Sequence, residues 1–400
     1  MTFNVIGIGN RKPNFTAQQQ KNILKAKIFS GGKRHHQLVK EYLPAGHQWI
    51  YIQSPMSAVF EQYENTKEEI IVFASGNPLF YGFSNTLKNK YPDATIVTDP
   101  YFSSIQLLAN TFNINNNELL TVSVHGRSWK TLDSIVIKQE KYIGILTDKE
   151  KNPATIANRL LTYGYDNYKI YIGEDIEGEE EKFYKLSLEE AAKKKFYPLN
   201  CVILQKIAHR KIDFGIKDRD FKGLPNRPKM ITKMPIRLTT LHFLDILTCN
   251  VLWDIGFCTG SISIEAKLKK TELEVVAFEK RPECEYIIKE NQKRFGVPGI
   301  RRVMGDFLEQ NLNQLPKPNA VFIGGHGGQL KELFHKIKPF LLPSTIIVIN
   351  AVKEDSIKMF KEGCREIEYA ITEESTFSLD NHNPITLLKA KSLITGIVSE

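Results

Sequence analysis

The sequence predicts two α/β domains in tandem. Three observations carry this: strand-like apolar runs alternate with helical periodicity in both halves; the alternation breaks once, near residues 207–237; and each half has a strand that delivers a glycine turn into a helix-like segment. At 400 residues the chain is also too long for one ordinary core.

In the first half, β-branched or apolar runs predict strands at 3–8, 70–73, 95–98, 119–124, 142–146, 169–172 and 201–204. Helical spacing falls at 104–112 and 153–163, with Pro153 placed to open the second helix after a loop over 148–153. A further helix is expected from Leu79 onward. The stretch HRKIDFGIKDRDFKGLPNRPKMITKMPIR has no long apolar period and reads as a linker and lead-in. The boundary is therefore set at 1–207 and 208–400. The second half restarts with strands at 251–255, 275–278, 300–304, 320–323 and 346–349. Helices are expected at 261–268, 282–295 and 329–337. Strand-like stretches near 366–371 and 385–390 suggest an antiparallel finish. No internal repeat links the halves.

Composition is that of a globular protein, 42% hydrophobic and 25% charged. MTFNVIGIGN has no basic region ahead of a sustained apolar run, and no stretch approaches the roughly 18 apolar residues of a membrane span. A cytoplasmic protein without a membrane partner is expected. Cys201, Cys249, Cys258, Cys284 and Cys364 show no Cys-x-x-Cys spacing, so reduced thiols and no metal site are expected. The net charge of +9 suits a polyanionic partner or a small molecule with many carboxylates, and equally a genome rich in Lys and Asn.

The most informative segment is LWDIGFCTGSISIE at 252–265, a buried strand, a glycine turn and a helix start. Many nucleotide sites use such a unit, because backbone N–H groups at a helix N-terminus face the ligand. A P-loop is absent. A dinucleotide fingerprint would need glycine at 256, 258 and 261, yet Cys258 and Ser261 stand at two of these. Asp254, just before the turn, opposes a pyrophosphate and suits a cation such as S-adenosylmethionine, with its ammonium and sulfonium. Glu279 ends the next strand, where an acid can accept both ribose hydroxyls. Asp306 ends the third, where an acid can meet the adenine amino group beside Phe307. A lone acid at a strand end is as often a solvated or capping carboxylate; three in successive positions favour the cofactor.

WDIGFCTGSISIEA, AFEKRPE, MGDF, VFIGGHGG and IVINAV, in that order after MITKMPIRLTTL, resemble the cobalt-precorrin-6B C15-methyltransferase (decarboxylating) family. The resemblance runs from about Phe214 to the C-terminus. It implies a class I Rossmann-like methyltransferase with a seven-stranded sheet. It also implies that Thr232, Gly256, Phe257, Cys258, Thr259, Gly260, Glu279 and the backbone near Phe307 line the cofactor pocket. The family usually has glycine at position 258. His326 interrupts the glycine run 324–328, and an exposed loop histidine is its ordinary reading.

IIVFASGNPLFYG at 70–82 is by itself only a strand and a turn. With VIGIGN, TDPYFSSIQLL, VSVHGR and GILTD, it resembles the tetrapyrrole methylase family, in its precorrin-7 C5-methyltransferase branch. This covers about 1–207 and implies two small α/β lobes with S-adenosylmethionine in the cleft they form. Gly76, Asn77, Leu79, Ser103 and Ser104 would contact the cofactor. Asn77 stands where the family usually has Asp, and Asn10, Arg11 and Lys12 replace its glycine-rich loop. Arg11 and Lys12 either pair with substrate carboxylates or sit in solvent; His125 and Arg127 either meet carboxylates or serve core and capping roles.

Both halves together resemble the precorrin-6Y C5,15-methyltransferase (decarboxylating) family. That implies a tetrapyrrole substrate, no nucleic-acid partner and a homo-oligomer. The basic balance would then grip substrate carboxylates, with Arg237 a candidate whose charge reversal should raise KM more than it alters cofactor binding. Two other readings are a degenerate N-terminal scaffold and a nucleic-acid methyltransferase. Against the latter, the sequence has no Asn/Asp-Pro-Pro-aromatic motif to hold a flipped base and no basic stripe interleaved with aromatics.

Overall fold

The computed structural model describes residues 1–211, 215–227, 230–379 and 383–393. Phe214, the start of the C-terminal resemblance, lies outside them. The chain divides into two compact units. The first comprises Met1–Arg127, Glu140–Arg159 and Asn167–Ala208; the second, Ser128–Gln139, Leu160–Asp166 and His209–Glu400.

The first unit contains two five-stranded sheets. One is built from β1 (Thr2–Ile8), β2 (Ile28–Gly31), β3 (Gln48–Tyr51), β4 (Ile70–Ser75) and β5 (Thr95–Asp99), in the order β3-β2-β4-β1-β5 with every pair parallel. A central parallel strand is buried on both faces, and β1 complies: Phe3 and Val5 enter one apolar cluster, Ile6 and Ile8 another. The other sheet holds β6 (Leu119–Ser123), β7 (Tyr142–Leu146), β8 (Tyr168–Glu174), β9 (Lys182–Ser187) and β10 (Asn200–Lys206), in the order β6-β7-β10-β8-β9. Only β6 and β7 pair in parallel there.

The second unit carries one seven-stranded sheet of β11 (Val251–Ile255), β12 (Glu274–Glu279), β13 (Ile300–Met304), β14 (Ala320–Ile323), β15 (Ile346–Ala351), β16 (Tyr369–Phe377) and β17 (Ile385–Ser392). Its order is β13-β12-β11-β14-β15-β17-β16; the first five pair in parallel and β17 runs antiparallel to both its neighbours, the antiparallel finish the sequence predicts. Successive residues feed opposite faces. Leu252, Val275, Ala277 and Phe322 lie in one core, while Trp253, Val276, Phe278 and Val321 lie in the other.

Several expectations need correction. The helix expected from Leu79 begins only at Phe83. Asn77 closes a side-chain turn on the Leu79 N–H, and Tyr81 takes a left-handed φ of 52°, which breaks a helix. The short strands β2, β3 and β9 and the helix Glu354–Glu366 escaped the pattern reading, and β16 starts later than expected, at Tyr369. The stretch read as a linker is partly core: Ile216, Phe221 and Leu224 pack into the first cluster of the second unit.

Arg237 is the clearest correction. It is fully buried, not poised over a pocket. Its Nε donates to Glu265 at 2.9 Å, Nη1 to Asp218 at 3.2 Å and to the Thr232 carbonyl at 2.6 Å, and Nη2 to the Ile216 carbonyl. Glu265 also accepts the Ile216 N–H. This guanidinium ties the lead-in to helix Ser261–Lys269 with four of its five N–H groups and, fully buried, does not face a substrate. Removing one member strands a buried charge, so Arg237→Ala should cost about 3–5 kcal/mol in urea denaturation.

Candidate functional site

Parallel strands place their exit loops along one sheet edge, and a crevice opens where neighbouring connections diverge. In the second unit that point is the β11/β14 boundary. Gly256 takes φ of 81° there, and a Cβ on it would press on the Gly325 backbone. Two adjoining pockets flank Cys258. One, of about 280 Å³, includes Thr232, Asp254, Gly256, Phe257 and Thr259; the other, of about 330 Å³, includes Glu279, Lys280, Asp306, Phe307 and His326. Nearly every C-terminal site residue expected from the sequence is thus brought together. Gly260 is not among the lining residues. Its φ is 76° and Ile288 packs where a side chain would begin, so its glycine serves turn and helix packing.

Asp254 is fully buried. Its Oδ2 accepts the Ser263 hydroxyl, while Oδ1 has no hydrogen-bond partner. Burial pushes the carboxyl up to about 7, with Ser263 pulling the other way. A buried acceptor left open at a pocket wall fits a ligand ammonium. Glu279 is more committed than expected. Oε2 accepts the Cys258 N–H at 3.0 Å, and Oε1 accepts those of Lys280 and Arg281 at 2.9 and 3.1 Å. A carboxylate accepts about four hydrogen bonds, so little more than one position remains for a ribose hydroxyl. Asp306 caps the turn that follows it, accepting the Leu308 N–H on Oδ1 at 3.0 Å. Cys258 takes φ of 51°, a left-handed conformation that glycine adopts without strain. His326 is half-buried rather than an exposed loop residue, its Nδ1 accepting the Gly328 N–H at 3.2 Å.

In the first unit a cavity of about 440 Å³ lies along the ends of β1 and β4 and includes Gly76, Asn77, Ser103 and Ser104. Gly76 takes φ of 60° and donates to the Ile8 carbonyl at 2.8 Å; a Cβ on Gly7 would strike the Gly76 carbonyl oxygen. Ser103 caps helix Ser104–Thr111 through a reciprocal pair with Gln106. Leu79 is exposed and does not line the cavity. Neither do Arg11, Lys12 and Arg127. Arg11 pairs with Glu177 at 3.2 Å, Lys12 pairs with Glu41, and Arg127 lies 5.1 Å from the Tyr81 ring centroid. His125 is tied to the Thr147 carbonyl at 2.9 Å. The basic groups that do line this cavity are Arg34 and His35, which the sequence reading missed. Both follow β2, a strand of four residues too short to show alternation; a doubled glycine before Lys-Arg-His-His was the available signal.

Glycine turns at parallel switch points and an open buried acid define the protein as a methyltransferase once its relatives are considered. A family model described as a precorrin methyltransferase domain matches residues 226–384. A precorrin-6Y C(5,15)-methyltransferase [decarboxylating] of Sinorhizobium sp is 29% identical over 95% of this chain and 87% of its own length. A probable cobalt-precorrin-6B C(15)-methyltransferase (decarboxylating) of Pyrobaculum aerophilum is 35% identical over 36% of this chain and 74% of its own. A cobalt-precorrin-7 C(5)-methyltransferase of Salmonella typhimurium is 26% identical over 45% and 86%. The chain belongs to the cobalt-precorrin-6B C(15)-methyltransferase (decarboxylating) family, and over nearly its whole length it is similar to the precorrin-6Y C(5,15)-methyltransferase.

Asp254 generates a prediction whose sign is unusual for an acid. Its native carboxyl holds a proton up to about 7 against an ordinary 3.8, so stability falls as pH rises between those values. Asp254→Asn should therefore stabilise the unliganded chain near pH ~8, by up to roughly 4 kcal/mol. The gain should shrink as pH falls through about 7 and vanish near ~4 in thermal denaturation.

Proposed function

We propose that this chain uses S-adenosylmethionine to methylate a precorrin macrocycle at C5 and C15 and removes the carboxyl of an acetate side chain. In this reading residues 1–207 carry the C5 transfer and 208–400 the C15 transfer with decarboxylation. The observation that supports it best is the open Oδ1 of Asp254 at the end of β11, a fit for an amino-acid ammonium. S-adenosylmethionine, when bound, supplies a methyl group made electrophilic by its sulfonium.

The residues then have defined work. Asp254 would hold the ammonium, Glu279 a ribose hydroxyl and Asp306 the adenine amino group. In the first unit the Gly76 turn lets the backbone approach the cofactor, with Asn77, Ser103 and Ser104 supplying polar contacts. A ring carbon provides the electron pair, so no protein nucleophile is required. Rate comes from holding carbon and methyl in line. At a methine carbon the displaced hydrogen leaves as a proton. In the decarboxylation, the electron pair of the broken C–C bond enters the macrocycle, and a proton later fills the side-chain position. Among the described residues no helix is long and apolar enough to cross a membrane. A soluble, cytoplasmic homo-oligomer acting on a small molecule remains part of the proposal.

Titrating S-adenosylhomocysteine into the full-length chain by calorimetry tests the two-site reading. Two binding events are expected. Asp254→Asn should weaken one by at least about 10-fold, the loss of a charge-assisted contact. Gly76→Val, which puts a branched side chain at a left-handed turn against the Phe102 carbonyl, should remove the other. A single event abolished by Asp254→Asn would reduce the first unit to a scaffold.

A further inference from the structure

The N-terminal cavity is lined by one acid, Glu177, and by one cation, Arg34. Asp175, which is not among the lining residues, accepts from Asn10 at 3.3 Å and from the Glu180 N–H at 3.1 Å. Glu177 accepts the Tyr101 hydroxyl at 2.8 Å and pairs with Arg11, both on Oε1, while its buried Oε2 has no hydrogen-bond partner. Arg34, in contrast, forms no ion pair among the described residues, and Asp175 acts on it only at a distance. It is more than half-buried, which ordinarily demands a counter-charge.

Arg34 Nη2 donates to Ser75 Oγ at 2.8 Å, and His35 Nε2 lies 2.9 Å from the same oxygen. His35 Nδ1 accepts the Gly32 N–H at 3.3 Å. Burial, with Arg34 nearby, pulls the imidazole down to about 4, so the ring is neutral and carries its one proton on Nε2. His35 therefore donates to Ser75. With two donors on its oxygen, Ser75 has spent its lone pairs and must direct its own hydrogen elsewhere. About four guanidinium N–H groups of Arg34 are also unspent. Arg34, His35 and Ser75 all line the cavity, whose remaining wall includes Ile8, Ile52, Phe73, Phe80 and Leu107.

We propose that Arg34 and Ser75 form a carboxylate-binding site that anchors one acidic side chain of the macrocycle and so sets which ring carbon meets the methyl group in the N-terminal unit. This rests on the functional reading above. The apolar wall suits the macrocycle's flat body, and a planar guanidinium fork matches a carboxylate. His35 is a positioning residue: it holds Ser75 as a donor toward the site.

The test uses full-length chain and the variants Arg34→Gln, Arg34→Lys and Ser75→Ala. Arg34→Gln should raise KM for C5 methylation by about 10–100-fold, the range for a lost charged hydrogen bond. Affinity for S-adenosylhomocysteine and KM for C15 methylation should stay within about twofold of wild type, a difference within ordinary surface-mutation effects. Arg34→Lys should recover part of the loss, and Ser75→Ala should cost less than Arg34→Gln. Unchanged C5 KM in Arg34→Gln, or an equal loss of S-adenosylhomocysteine affinity, overturns the proposal. A second arm needs no turnover: fluorescence titration with uroporphyrin, a polycarboxylate tetrapyrrole, should give weaker binding to Arg34→Gln than to wild type. Equal binding overturns the site. A wild-type chain that transfers no methyl to C5 contradicts the functional reading instead, and the porphyrin arm then decides Arg34 alone.

Discussion

A parallel strand is always left over its carboxyl end, and this constraint organises both candidate sites. In the second unit β11 is flanked by β12 and β14, whose connections depart in opposite directions. The loops over β11 part at that point. Gly256, Glu279 and Asp306 then face one crevice, although 50 residues of chain separate the first from the last. In the first unit β1 and β4 are adjacent in the same sense, and the turns that leave them bring Gly7 and Gly76 into close approach. Covering both faces of each parallel sheet keeps that edge as the available place for polar chemistry.

Charge is distributed on the same principle. Arg237, Arg11 and Lys12 are committed to Glu265, Glu177 and Glu41. Two groups with open hydrogen-bonding capacity line the cavities: Asp254 in one unit and Arg34 in the other. One is an open acceptor, which suits a cation; the other is an open donor, which suits an anion. Leaving either group unpaired costs stability, and burial of the polar partner in a ligand offsets that cost.

How much was legible follows from chain length and periodicity. The seven-stranded sheet was readable because β11, β12, β13, β14 and β15 are apolar runs, separated by helices everywhere but between β13 and β14. Asp254, Glu279 and Asp306 were readable because each stands at such a strand's end. β2 and β3 were not, at four residues each, and Arg34 and His35 went unseen with them. Arg237 was misjudged for another reason: a cation near a binding motif looks the same in sequence whether it faces a ligand or a buried acid. Its partner Glu265 lies 28 residues away, and only the packing of two helices brings them together. Leu79 failed because the turn's polar closure at Asn77 outcompeted helix initiation.

The most direct test of the account is mass spectrometry and carbon NMR of the product formed by the full-length chain from the precorrin substrate and S-adenosylmethionine labelled in its methyl carbon. The account predicts a product with two labelled methyl groups, at C5 and C15, and one carbon dioxide lost. A product with a single labelled methyl group, or with two and no loss of carbon dioxide, would contradict it.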